Sequence, residues 1–314
     1  MTGLLHRHLL FVTGKGGVGK TTVAAAIADL AARQGKRVLV CEMDAKGAIA
    51  DVFEVDSLSF EPTEVQPRLH AMAMNTEDSL REYLRVVARI PLVGRIGPLA
   101  RTFDFVADAA PGVKEILAIG KVCYEVRERH YDLVVVDAEA SGHIVAQIDA
   151  PRAIRELVQV GPVREQTEWM LAILGDRVRT GLIVVTTPEE MPITETIELV
   201  DRVRSTTEVD VAAVIANRVL PRWFSATDAD VFQRMCADEP QAVLSSAVGS
   251  KASAVFEAAR LAEARRTVAE GYLDRLRGAI PDDLPIVVVP ELFTKASGRR
   301  VVSLVADELE AAAI

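Results

Sequence analysis

The sequence predicts an α/β fold, a mostly parallel β-sheet wound on both faces, with a helical subdomain added to it. Three observations carry that expectation. Short β-branched runs alternate with helical patterns along most of the 314 residues, as they do where helices cover both faces of a parallel sheet. Several runs are almost continuously hydrophobic, as strands buried on both sides must be. The first run leads through a glycine-rich stretch directly into an Ala-rich helical pattern, which is the strand–loop–helix order of a phosphate-binding loop.

The first strand is expected over Leu9–Thr13, and the helix after the loop is expected to start near Thr22. Between them Gly14, Lys15, Gly16, Gly17, Val18, Gly19, Lys20, Thr21 and Thr22 read G-K-G-G-V-G-K-T-T and form the candidate nucleotide site. The four glycines let the backbone curl so that successive N–H groups meet one anion, and the helix N-terminus adds partial positive charge. Lys20 is the residue expected to reach the β- and γ-phosphates, with the Thr21 hydroxyl on Mg²⁺. Further strands are expected over Arg37–Glu42, Leu69–Met74, Leu133–Asp137, Leu182–Thr186, Val211–Asn217 and Ile286–Val289. Leu80, Tyr83, Leu84 and Val87 share a helical face, as do Leu261, Ala264, Val268, Tyr272 and Leu276. Val302, Val305 and Leu309 mark a last helix after Gly298.

The chain shows no internal repeat or low-complexity linker, so residues 1–314 are expected to form one domain. Two intervals, about 76–129 and 151–180, are longer than sheet connections need. Both read as helical and are expected to build the subdomain on one edge of the sheet. In the first, Arg85, Arg89, Arg95 and Arg101 are interleaved with Val86, Val87, Ile90, Leu92, Val93, Ile96 and Leu99. That pattern is either plain packing on the sheet or a groove for an apolar client helix or membrane face.

Composition sets the remaining bounds. Half the residues are hydrophobic and 5% aromatic, so the core is built from aliphatic side chains and Ala. Three cysteines, Cys41, Cys123 and Cys236, lie far apart without C-x-x-C spacing, which points to a reducing compartment and away from zinc. No stretch approaches the roughly 18 to 20 apolar residues that span a bilayer, so a cytoplasmic protein is expected, with transient membrane contact left open. A net charge of −9 argues against a general nucleic-acid surface.

Two carboxylates end strands beside the loop. Asp44, after Cys41-Glu42-Met43, is placed to orient or deprotonate a water and to meet the Mg²⁺ shell, unless it only caps the next turn. Asp137 ends the run Val134-Val135-Val136 and is the usual second acidic partner of Mg²⁺, which it and Asp44 reach through water. The loop after it reads Ala138-Glu139-Ala140-Ser141-Gly142-His143.

These motifs resemble the arsenite-pump and tail-anchored-protein-targeting ATPase family. Lys15, just after the first glycine, matches the deviant loop of ATPases that work as face-to-face dimers; the resemblance implies that Lys15 reaches phosphates held by the other subunit. Asp44 and Asp51 match the spacing of the family's first switch, Asp-Pro-Ala-His-Asn-Leu-Ser-Asp. Residues 137–143 match its second switch, Asp-Thr-Ala-Pro-Thr-Gly-His, which makes Asp51, Gly142 and His143 switch candidates. Pro111-Gly112-Val113-Lys114-Glu115, Thr187-Pro188-Glu189 and Asn217 also fall where the family has equivalents. By resemblance Asn217 contacts adenine, with Pro290 and Glu291 closing over the base; a guanine-reading Asn/Thr-Lys-x-Asp is absent.

The chain departs from that pattern in its switches. Ala45 and Gly47 replace the first switch's Pro and His, and Glu139-Ala140 replaces Ala-Pro in the second. The targeting branch's zinc-binding cysteine pair is missing, and the second helical interval is shorter than that branch's client insert. The resemblance implies a Mg²⁺-dependent ATPase that cycles as an ATP-closed dimer, with a copy of itself or a paralogue, to handle a protein or membrane-protein client. The alternatives are a partition or positioning ATPase organising a macromolecular or membrane partner, and an energising subunit of an anion pump.

Overall fold

A computed structural model describes residues 3–44, 46–86, 113–249 and 251–314. Its described residues contain a sheet in the order β3-β4-β2-β5-β1-β6-β7-β8. The strands are β1 (Leu9–Gly14), β2 (Val38–Glu42), β3 (Thr63–Gln66), β4 (Leu69–Ala73), β5 (Leu133–Ala140), β6 (Thr180–Thr186), β7 (Val211–Val219) and β8 (Ile286–Pro290). Every neighbouring pair is parallel except β3 with β4. The apolar runs work because alternate residues serve different layers. Leu10 and Val12 join one core, whereas Leu9 and Phe11 join the other, as the two-residue period of a strand requires.

On the first face α1 (Lys20–Arg33) lies between the sheet and α11 (Gly298–Ala311). Ala24, Ala25, Ala26, Ala28 and Ala31 are fully buried, since only small side chains let a helix be enclosed on two sides at close approach. Val302, Val305 and Leu309 of α11 complete this core, as their spacing predicts. The short α2 (Ala48–Phe53) packs on the same face through Ile49 and Phe53. At the helix ends Arg33 bridges Asp29 and, at 2.7 Å, Asp307.

The opposite face carries α4 (Val113–Arg127), α5 (Ser141–Leu157), α6 (Pro162–Leu174) and α7 (Glu190–Thr206), and α3 (Thr76–Val86) packs on α4. α8 (Ala226–Met235), α9 (Asp238–Val248) and α10 (Lys251–Ala279) follow β7. Strand β1 pairs with both β5 and β6. The chain leaves β1 toward β2 on one side and later returns past it to β6, which opens a crevice at the carboxyl ends of these strands.

The structure departs from the expected elements at several places. The sequence carries no signal for β3, because in Thr63–Gln66 only Val65 is buried and the run has no hydrophobic pattern. β5 runs three residues beyond Asp137, since Ala140 still pairs with Gly14 and the Thr13 hydroxyl donates to the Glu139 carbonyl at 2.8 Å. α1 begins at Lys20 and not at Thr22. The shared face of Leu261, Val268 and Leu276 is core only at its end: Leu276 is buried, but Leu261 and Val268 are 61% and 58% exposed. α5 starts before the interval assigned from Pro151 and runs through that proline. The arginine-rich pattern from Arg85 to Arg101, the Pro111-Gly112 turn and Ala45 lie outside the described residues or side chains.

Candidate nucleotide site

The loop between β1 and α1 is built on backbone that only glycine adopts freely. Gly14 has φ +150°, and a Cβ there would collide with the Val185 carbonyl of β6. Gly19 has φ +92°, with the Asn217 amide 2.5 Å from where a Cβ would stand. By contrast, a Cβ at Gly16 or Gly17 would meet no protein atom within 4 Å, so the mouth of the cradle is open. Neither α1 nor α5 has a side-chain cap at its N-terminus. Both leave N–H donors and dipole ends directed to this edge of the sheet, where an anion is favoured.

Lys20 leads α1, its Nζ 3.5 Å from the Lys15 carbonyl across the loop. Burial lowers the pKa of its ammonium, opposed by the charges of Asp137 and Asp44. The Thr21 hydroxyl donates to Asp137 Oδ2 at 2.6 Å. Burial pushes the Asp137 carboxyl up to about 6; Glu42 and Asp44 push the same way, while Thr21 and Lys20 pull it down. Asp137 Oδ1 and Glu42 Oε2 are buried without a hydrogen-bond partner, and the two residues are register partners on adjacent strands. Hard oxygen ligands with lone pairs to spare fit Mg²⁺, which takes one or two protein oxygens and completes its shell with phosphate and water. No larger cluster of His, Cys, Asp and Glu able to hold a metal occurs among the described residues.

The two segments expected to act as switches flank this centre. Asp44 is exposed and pairs with Lys46 at 2.7 Å. Asp51 is exposed in the first turn of α2. Gly142 and His143 stand exposed in the first turn of α5, directly after the end of β5. Burial and the Asp44 charge raise the Glu139 carboxyl, and His143 opposes them. Asn217 is buried at the end of β7, donates from Nδ2 to the Val18 carbonyl at 2.9 Å and accepts the Arg218 N–H on Oδ1. Its amide therefore braces the loop. Glu291, which follows Pro290, donates its N–H to the Val219 carbonyl at 2.9 Å, bringing the end of β8 beside that of β7.

Sequence reasoning missed two side chains here. Glu42 is 2% exposed, and its Oε1 accepts the N–H groups of Lys46 and Ala48 at 3.1 and 2.8 Å, shaping the turn after Asp44. A glutamate inside a buried strand was the available signal, since a buried charge demands partners. Glu195 on α7 pairs with Lys15 and accepts the Ser141 hydroxyl at 3.1 Å. Nothing in its local sequence marks it.

Residues 7–161 and 149–245 match the family described as anion-transporting ATPase. The chain belongs to that family. It is an ATP hydrolase, and the relatives it matches carry ATPase names. ATPase BagA of Mycobacterium tuberculosis is 31% identical over 231 residues, covering 70% of this chain and 67% of the relative. An ATPase ASNA1 homolog of Entamoeba dispar is 26% identical, covering 68% and 76%. A putative arsenical pump-driving ATPase 2 of Aquifex aeolicus is also 26% identical, covering 68% and 80%. Among the described residues no helix is long and apolar enough to cross a membrane.

Proposed function

We propose that this ATPase is Mg²⁺-dependent, works as an ATP-closed dimer with a copy of itself or a paralogue, and couples closure to handling a protein client. The observation that carries the reading is the Thr21–Asp137 hydrogen bond at the foot of an open glycine cradle. It joins the two residues that a P-loop site needs for its metal.

In this reading Gly14 to Thr22 bind the triphosphate through backbone N–H groups and Lys20. Thr21 would hold Mg²⁺, with Asp137 and Asp44 joining its shell through water; bound there, the ion neutralises charge on the β- and γ-oxygens. Asp44 takes a proton from the attacking water as the new P–O bond forms and the bond to the β–γ bridging oxygen breaks. ADP departs with the electron pair, and Lys20 stabilises the charge that develops on it. Lys15 supplies further positive charge to the partner's phosphates. Asp51, Gly142 and His143 change position with the state of the γ-phosphate, and Asn217, Pro290 and Glu291 form the adenine side. Helices α3, α4 and α6 belong to the subdomain that meets the client.

An anion-pump role that relies on soft thiolates finds little support. Cys41 and Cys123 are buried, and burial pushes the Cys41 thiol to about 12 and the Cys123 thiol up as well. The test of the nucleotide site is Lys20→Ala, which is expected to abolish ATP binding in titration calorimetry. Micromolar affinity in that variant would refute the assignment.

A further inference from the structure

The loop lysine is not free in this structure. Lys15 Nζ is ion-paired with Glu195 Oε1 of α7, and Glu195 Oε2 accepts the Ser141 hydroxyl at 3.1 Å. The two side chains of the pair are 32% and 29% exposed. One carboxylate thus joins the phosphate loop to the first residue of α5, directly after the strand whose Ala140 pairs with Gly14. Lys15 comes 180 residues before Glu195 in the chain, so only the tertiary fold creates this bridge.

We infer that Glu195 is a positioning residue for ATP hydrolysis, a latch that parks Lys15 on its own subunit and ties that parking to the second switch through Ser141. The inference rests on the proposal that Lys15 acts in the other subunit's site. A lysine held by α7 of its own chain has to leave that carboxylate before it meets a neighbour's phosphates. Polyphosphate in the cradle brings strong negative charge near Glu195, competes for the Lys15 ammonium and weakens the pair. Movement of Ser141 withdraws the other hydrogen bond. Occupation of the site therefore shifts Lys15 toward its released form, so empty chains are biased against closing on one another. A pair this open to solvent is worth a factor of about 2 to 5 in an equilibrium, enough to bias closure without preventing it.

Glu195→Gln removes the charge and keeps an acceptor for Ser141. In the nucleotide-free chain, at a concentration where it sediments as a monomer, acylation footprinting of the lysines reads the latch directly. Lys15 reactivity in Glu195→Gln is expected to rise about 2- to 5-fold over wild type, with other lysines unchanged. In ultracentrifugation with a non-hydrolysable ATP analogue, the same variant is expected to associate at lower protein concentration by a similar factor. On a Lys15→Ala background Glu195→Gln should add nothing, a dependence that a merely structural effect would not show. Unchanged Lys15 reactivity, or an association shift that persists without Lys15, overturns the latch. Increased reactivity with no analogue-driven association of wild type would keep the latch and reject the dimer.

Discussion

Asp137 and Asp44 sit in different environments, which suits the different tasks proposed for them. Asp137 is buried, bound to Thr21 and raised to about 6; Asp44 is exposed at the rim beside Lys46. The raised pKa has a signed consequence. Between the ordinary carboxylate range and about 6, the native chain binds more protons than the unfolded one, so stability of the nucleotide-free protein falls as pH rises through that window. Asp137→Asn is therefore expected to be more stable than wild type at pH 7.5, by up to about 3 kcal/mol, with the difference vanishing near pH 4 in denaturant titrations. Adding Mg²⁺ with nucleotide should stabilise wild type at pH 7.5 far more than the variant. Asp44→Asn is expected to keep ATP affinity but lose about 10²-fold or more in turnover under saturating ATP, the range of general-base catalysis. Unchanged turnover would shift the water-positioning role to Glu139.

At the scale of elements, burial separates helices that look alike in sequence. Leu309 of α11 is fully buried against α1, whereas Leu261 of α10 is 61% exposed. Leu309→Ala is expected to cost about 2–5 kcal/mol, and Leu261→Ala no more than about 0.5; chemical denaturation of the two variants checks the contrast. The same contrast explains what was legible beforehand. Strands β1, β2, β5, β6 and β7 are visible because both faces are apolar, and the phosphate loop because its glycines and lysines are contiguous. β3 is hidden because an edge strand buries only Val65. The second switch's strand character is hidden because it comes from pairing with Gly14, not from Glu139 or Ala140 themselves. Glu195 is hidden because its two partners lie on other elements. Periodicity marks α10 as amphipathic but is silent on whether anything covers its stripe.

At the scale of the whole molecule, the proposed mechanism needs two subunits, with Lys15 linking them. The open mouth of the cradle at Gly16 and Gly17 and the placement of Lys15 beside it are what a facing loop would require. A chain that pairs only with a paralogue would be nearly inactive alone and would recover turnover when the paralogue is added. The decisive measurement is turnover per chain against protein concentration, for wild type and Lys15→Ala, with the cognate second subunit present. If two subunits are needed, wild-type turnover rises with concentration to a plateau, while Lys15→Ala binds ATP nearly as well yet stays low throughout. Turnover that is independent of concentration in wild type and equal in Lys15→Ala would contradict it.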